Sequence, residues 1–396
     1  MGVKGYKAFN KGMICRGKQY KENATYEENG NEICEAGVMH FCENPFDVLN
    51  YYPLVDKNGG ISDFADVEAI GDIYKEKNKT ATNKLHIGAK LGLKGFIKAC
   101  VDFTIEKTRV ESGKDNETDS SGDYAKIGSS GYYAKIGSSG YYAKIGSSGD
   151  SAQIGSSGDY SQIGSSGDYA KIGSSGDSAQ IGSSGDSAQI GSSGYSAKIG
   201  SSGDSAQIGS SGYYAKIGSS GDSAKIGSSG DSAQIGSSGY YAKIGSSGDS
   251  AQIGSSGYSA QIGSSGYSAQ IGSSGDYAKI GSSGDSAKIG SSGDSAKIGS
   301  SGYYAKIGSS GDSAKITSKG KHSVVMAAGY NSIAKAKIGS WITLAEWTRT
   351  DKTDDSDNYI WIPKCVKTEC VDGERIKEDT FYKLVDGEFK EVESEE

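Results

Sequence analysis

From Asp123 to Ile316 the chain repeats a nine-residue unit, Gly-Ser-Ser-Gly-[Asp/Tyr]-[Ser/Tyr]-Ala-[Lys/Gln]-Ile, with 22 copies of the Ala-x-Ile core, one of them carrying Ser161 for Ala. A unit this short cannot bury an apolar face alone, so copies must stack on one another. In Tyr133-Ala134-Lys135-Ile136 the alternation turns Ala and Ile one way and Tyr and Lys the other, the period-two pattern of a strand with one buried face. Gly-Ser-Ser-Gly then supplies a turn, because glycine tolerates positive φ and Ser can bond nearby backbone. Nine residues are too few to close a coil. Two repeats per coil make 11 coils of 18 residues from the 22 copies. At ~4.8 Å per coil that is a roll of about 50 Å. Three-sided coils of 27 residues are the alternative, and the repeat does not set the handedness.

Such a roll has a thin core. One buried Ile contributes only ~1.5–3 kcal/mol, while ordering each backbone residue costs ~1–2 kcal/mol. Backbone ladders, stacked Ser rows and end caps must therefore supply much of the stability, and an isolated pair of repeats is expected to be unfolded.

Composition narrows the class further. The 396 residues include 61 Gly against 3 Pro, which excludes collagen and proline-rich tracts. Net charge is −7, with 14 Asp and 13 Lys inside the repeats. That balance disfavours both a nucleic-acid binder and an acidic DNA mimic. There is no apolar leader behind Met1 and no run of about 18 apolar residues, so neither a signal peptide nor a membrane span is expected. The six cysteines form no secreted framework, which points to reduced thiols and a cytoplasmic location.

Five segments follow: an α+β domain over 1–112, a linker over 113–122, the repeats over 123–316, degenerate coils and a cap over 317–347, and a β-rich tail over 348–396. In the first, Tyr6–Phe9, Gly37–Phe41 and Phe64–Ile73 are strand candidates. Asn44-Pro45 starts a helix that runs toward Tyr51-Tyr52. Apolar residues at helical spacing (Leu93, Phe96, Ile97, Cys100, Val101) predict a second helix within Leu91–Thr108. In the tail, Val385-Asp386-Gly387-Glu388-Phe389 is a hairpin signal. The fold class is mainly β: a central parallel β-solenoid between a small α+β domain and a β-rich cap.

Tyr precedes Ala in nine repeats, and eight of those carry Lys two places later; among the thirteen with Ser, only five do. Residues two apart on a strand share a face, which makes Tyr133 with Lys135, Tyr142 with Lys144, Tyr214 with Lys216, Tyr241 with Lys243 and Tyr304 with Lys306 a candidate binding surface. Common descent of duplicated units explains the same pattern. Trp341, Leu344 and Trp347 are candidates to cap the last coil or to form a homodimer contact. Cys15, Cys34, His40 and Cys42 could make a Cys₃His zinc set, against the alternative of buried core cysteines. Cys365 and Cys370 have no second pair, and His86 and His322 have no nucleophile nearby. A calcium ladder is disfavoured because 8 of 22 repeats replace the Asp with Tyr. An ice-binding array is disfavoured by the mixed Tyr/Asp face. No cofactor is expected.

Cys15-Arg16-Gly17, Tyr20, Gly37-Val38-Met39-His40-Phe41-Cys42-Glu43-Asn44-Pro45 with Tyr51-Tyr52, and Ile338-Gly339-Ser340-Trp341-Ile342-Thr343-Leu344-Ala345-Glu346-Trp347 carry a resemblance. With the repeats, the chain resembles bacteriophage and prophage proteins that pair an N-terminal domain of unknown function with Gly-Asp-x-Ala-x-Ile solenoid repeats. Gly37-Val38-Met39-His40 stands where that family has Gly-Phe-His. The resemblance implies the fold and a phage context, and no activity. The expected function is non-enzymatic: a scaffold whose repetitive surface binds a protein, with a host complex as a candidate partner. The alternatives are a catalytic or metal-binding N-terminal domain on a solenoid spacer, and a self-assembling fibre.

Overall fold

The computed structural model describes residues 2–30, 37–54, 61–76, 78–108, 117–353 and 359–393. They divide into two compact units, Met1–Ser228 with Ala233–Ser238, and Ser229–Ser232 with Gly239–Glu396. Both contain stretches of one parallel β-solenoid of about 13 turns. Two repeats make a turn, because every strand pairs with the strand 18 residues on, as Lys135↔Gln153 and Ile136↔Ile154. Alternate repeats thus feed two opposed sheets, one through Lys135–Ser138, Gln153–Ser156 and Lys171–Ser174, the other through Lys144–Ser147, Gln162–Ser165 and Gln180–Ser183.

Two expectations need correction. The roll has about 13 turns, not 11. The ladder is made of backbone bonds, so segments without the motif join it. Glu117–Ser120, inside the stretch read as linker, pairs in parallel with Lys135–Ser138. At the other end Val324–Ala327 and Ile333–Lys335 extend both ladders. The strand frame also shifts. Strands cover Lys/Gln-Ile-Gly-Ser, and the turn falls on the Tyr or Asp that follows. Ala134, Ile136 and Ser138 all point inward and are nearly buried, so the first Ser of the motif is a core residue. The frame is fixed by the second glycine of Gly-Ser-Ser-Gly. A methyl group at Gly185 would lie 1.8 Å from the Gly167 carbonyl oxygen of the preceding coil, so only glycine lets the corners stack.

The turns have a second device. At Tyr124, Tyr142, Tyr160, Tyr277, Ser286, Ser295, Tyr304 and Ser313 the residue before Ala, or before Ser161 in one repeat, takes a φ of 55–59°. In this conformation its N–H points forward, as from Ser295 to the Asp312 carbonyl. The Asp one place earlier then accepts the N–H of the coil after it: Asp294 Oδ1 from Asp312 at 2.7 Å, Asp312 Oδ1 from Tyr330 at 2.7 Å. These aspartates satisfy backbone donors at the corners.

In the first unit an antiparallel sheet orders Val3–Phe9, Asp63–Ala69, Lys84–Leu91 and Ala24–Glu27. A smaller sheet orders Met39–Phe41, Lys79–Thr82 and Ile73–Glu76. The expected helix at Asn44-Pro45 is a 3₁₀ turn, Pro45–Asn50, capped by Asn44 Oδ1 accepting from the Phe46 N–H. The helix Leu93–Thr108, here α1, buries Leu93, Phe96, Ile97, Cys100, Val101 and Thr104 along one stripe, with Phe96 stacked on Phe64 at 3.9 Å between centroids.

The second unit ends both ladders with antiparallel hairpins. Trp341–Thr353 pairs in parallel with Val324–Ala327 and antiparallel with Tyr359–Cys370. Phe381–Val385 pairs with Ile333–Lys335 and turns back through Asp386-Gly387, both at positive φ, into Glu388–Val392. Leu344 is buried, and Trp347 donates from Nε1 to the Ala328 carbonyl at 2.9 Å, whereas Trp341 stands half exposed. Trp347→Ala is expected to cost about 1–3 kcal/mol and to expose ladder groups that favour end-to-end association. Calorimetry with size-exclusion chromatography tests this; an unchanged Tm and elution volume would remove Trp347 from the cap.

Candidate functional site

In the first unit the two solenoid sheets differ in what covers them. Outward along each strand stand Lys or Gln and then glycine, so each sheet carries a row of long polar side chains beside a bare glycine row. One glycine row seats α1 and its neighbours. A methyl group would approach Thr104 Cβ to 2.9 Å at Gly164, Val101 Cγ2 to 3.2 Å at Gly182, Ile97 Cγ1 to 3.1 Å at Gly200 and Leu54 Cδ2 to 2.6 Å at Gly218. These glycines lie 18 residues apart, one per coil, or ~4.8 Å. Three to four residues of helix advance ~4.5–6 Å, so α1 drops one side chain into each successive notch.

The lysines beside this row are partly covered. Lys198 donates from Nζ to Asn50 Oδ1 at 2.5 Å, and burial pushes its amine down to about 8. Burial lowers Lys216 as well. Burial raises the Asp47 carboxyl, and Lys198 and Lys144 oppose that shift.

The opposite sheet of this unit is open. At Gly155, Gly173, Gly191, Gly209 and Gly227 nothing lies within 4 Å of an added methyl. Lys135, Gln153, Lys171, Gln189, Gln207 and Lys225 stand exposed on one side of the row, and Ser139, Ser157, Ser175, Ser193 and Ser211 on the other. Over the first coils the glycine row and the adjoining Ser row line a shallow, open groove, with Gly137, Gly155 and Gly173 in its floor and Asp119 at its end.

The structure separates the Tyr/Lys pairs read from sequence. Tyr133, Tyr142, Tyr214, Tyr241 and Tyr304 sit in the turns, and the lysines on strands. In the first unit Lys135 lies on the open sheet, and Lys144 and Lys216 on the sheet that carries α1. In the second unit Lys243 and Lys306 stand on opposite sheets. The tyrosines pack on one another along the corners: Tyr124 on Tyr142 at 5.3 Å, Tyr142 on Tyr160 at 5.0 Å, Tyr240 on Tyr258 at 4.8 Å between centroids. The open glycine groove was missed. Its signal was present, since glycine two places after Lys must share the outward face once the strand frame is right.

Of the proposed zinc set, Cys34 lies outside the described residues. Cys42 is buried, and burial pushes its thiol up to about 12. Cys15 accepts from the Tyr52 hydroxyl at 3.0 Å. Beside Cys15 the Lys7 amine is buried, which lowers its proton affinity. It donates to the His40 carbonyl at 2.7 Å and lies 5.6 Å and 5.7 Å from the Phe9 and Tyr20 ring centroids. Among the described residues no group of three His, Cys, Asp or Glu is placed to hold a metal ion. Cys365 and Cys370 lie on one strand opposite Glu346 and Trp341, and His322 stacks on Tyr304 at 5.7 Å.

His40 Nε2 is buried without a hydrogen-bond partner among the described residues. Burial, with help from Lys7, pushes the ring's pKa from 6.5 down to about 4. The folded chain thus binds this proton more weakly than the unfolded one. The stability it contributes is complete above pH 6.5 and is lost as pH falls toward 4. His40 is half-buried, and solvent screening limits the effect to about 1–2 kcal/mol. His40→Asn is expected to flatten the fall in Tm between neutral and acidic pH; parallel curves for the two proteins would rule the site out.

Among the described residues no helix is long and apolar enough to cross a membrane. No curated protein and no solved structure matches the chain. Residues 3–99, which hold the N-terminal sheets and the first seven residues of α1, match the family described as Domain of unknown function (DUF7666), and the chain therefore pairs an N-terminal DUF7666 domain with a β-solenoid.

Proposed function

We propose that this protein is a non-enzymatic scaffold of phage type that works inside a host cell, and that the open sheet of the first unit binds a protein partner. The observation that carries this reading is the inequality of two chemically equivalent faces. One glycine row is filled by α1 and the residues beside it, and the other is bare, forms a shallow groove with the adjoining Ser row over its first coils, and is flanked by exposed Lys and Gln. Backbone exposed along a smooth floor with polar walls makes an adaptable protein-binding surface. The exposed strand positions of this face carry Lys135, Lys171 and Lys225 and no acidic residue between them, which favours an acidic partner surface. A counter-defence role, in which the scaffold occupies a host complex, accords with the phage resemblance.

The test is affinity capture from bacterial lysate with the full chain and with a Lys135→Glu/Lys171→Glu/Lys225→Glu variant. A protein retained by the natural chain and lost from the variant, with Tm unchanged, supports the reading. Identical captures by both proteins overturn it.

A further inference from the structure

The covered sheet shows what the repeated surface accepts. Strand for strand, the open sheet has the same Lys/Gln-Ile-Gly-Ser sequence, the same 18-residue spacing and the same parallel register as the sheet under α1. What α1 brings to its row is one small or branched side chain per coil, Thr104, Val101 and Ile97, at spacings of three and four. It keeps its charged residues, such as the Lys98–Asp102 ion pair, on the far side. The DUF7666 domain also sets Asp47 among the lysines of the covered row.

From this we infer that the bare glycine row of the first unit, Gly155 to Gly227, is a docking groove for an α-helix of a partner protein. The helix carries an aliphatic stripe at i, i+3 or i+4, and i+7, flanked by acidic residues. The physical basis is the near match between helix pitch, ~5.4 Å, and strand spacing, ~4.8 Å. Over four or five coils the mismatch accumulates to about half a coil, which branched side chains absorb. Glycine in the floor lets the helix approach, and each buried aliphatic side chain then gains full contact. The lysine wall, with Lys135, Lys171 and Lys225, selects acidic flanks and excludes basic amphipathic helices. Asp119 closes the groove at its first coil. This inference rests on the reading of the open sheet as a protein-binding face, and adds the kind of partner.

The probe already exists in the molecule. A synthetic peptide of residues 93–108, with a lactam joining the Lys98 and Asp102 side chains on its solvent face, reproduces the stripe that fits a glycine row and holds it helical. With a photoreactive benzoylphenylalanine in place of Lys94, it is added to the full-length protein under reducing conditions. Crosslinked residues are then mapped by mass spectrometry. The expected result is saturable crosslinking centred on residues 153–193 of the open sheet. A Gly155→Val/Gly173→Val/Gly191→Val variant, whose methyls meet open space and leave Tm unchanged, should cut the yield at least tenfold. A second peptide with Glu at the positions of Ile97 and Val101 should not crosslink. Absence of crosslinking overturns the inference. So does crosslinking unaffected by the valines, which would mean that the peptide displaces α1 or binds elsewhere. A partner captured through the lysine wall but insensitive to the valine variant would keep the binding face and remove the helix.

Discussion

Gly182→Leu is expected to loosen the DUF7666 domain from the solenoid, while Gly173→Leu leaves the protein as it was. The two glycines occupy the same place in the repeat and the same strand position on opposite sheets, so backbone propensity and helical or turn preference cancel in the comparison. What differs is the space outward. At Gly182 the first carbon of a side chain would already lie 3.2 Å from Val101 Cγ2 and 3.5 Å from Phe46 Cζ, and the rest of a leucine has nowhere to go. Overpacking of this kind costs about 1–3 kcal/mol when the neighbours can shift. Here the neighbours are α1 and the 3₁₀ turn, each fixed by its own core. The cheaper response is for the domain to lift, losing the contacts at Gly164, Gly200 and Gly218 as well. At Gly173 nothing lies within 4 Å, and an exposed substitution in a strand stays within about 0.5 kcal/mol. Limited proteolysis should release an N-terminal fragment from the Gly182 variant at protease concentrations that spare both the natural chain and the Gly173 variant. Equal resistance of all three would mean that the domain is not held by this row.

That pair of positions also shows how far the sequence could be read. The period announced the solenoid, and the alternation of Ala and Ile gave its inward side. The two repeats per turn followed from the minimum that closes a core. Those are local facts, repeated 22 times, and repetition averages out local ambiguity. The frame was misjudged because Tyr, Ala, Lys and Ile have good strand character and Gly-Ser-Ser-Gly has turn character. The decision belonged to a longer-range constraint, the stacking of Gly185 on the Gly167 carbonyl, where an added methyl would come within 1.8 Å of the oxygen; it forces that glycine to the corner and draws the preceding Gly-Ser into the strand. Once the frame moves, Tyr133 leaves the face of Lys135 for the corner, and glycine takes its place beside the lysine.

The inequality of the two sheets was beyond reach for a different reason. Nothing inside a perfect repeat tells one sheet from the other. The distinction comes from α1, whose stripe of Leu93, Phe96, Ile97, Cys100 and Val101 was legible as an amphipathic helix, but whose seat was not. Likewise the cap at Leu344 and Trp347 was readable as an apolar break in a polar array, whereas the handover from parallel to antiparallel pairing at Trp341–Thr353 depends on partners far along the chain. The proposed zinc residues illustrate the limit of spacing alone. Cys15 and Cys42 lie near the same buried Lys7 amine, yet the amine, a tyrosine hydroxyl and a backbone carbonyl are what the structure shows around them.

The largest effect of a single inward change is expected at Ile181. It is fully buried, stacked between Ile163 and Ile199 in a column with one isoleucine per coil. Ile181→Val removes one methylene and should cost about 0.5–1.5 kcal/mol. Ile181→Asp removes the apolar side chain and leaves a carboxyl with no partner in a column of methyl groups. Such a group either takes up a proton or draws in water, and the cost exceeds about 4 kcal/mol. In a globular core a loss of that size would unfold the whole domain. In a stack where each coil touches only its neighbours, it should open a local gap. The coils on either side keep their own isoleucine columns, and α1 bridges the site through Val101 at Gly182. Hydrogen exchange followed by mass spectrometry should therefore show strands Gln162–Ser165 to Lys198–Ser201 losing protection first, with Lys171–Ser174 and Gln189–Ser192 on the opposite sheet close behind. The coils beyond Lys243 should exchange as in the natural protein. Uniform loss of protection along the solenoid would show that the coils unfold as one cooperative body and that nearest-neighbour stacking does not set their stability. Ile181→Val alongside fixes the scale, because it disturbs the same column without placing a polar group in it.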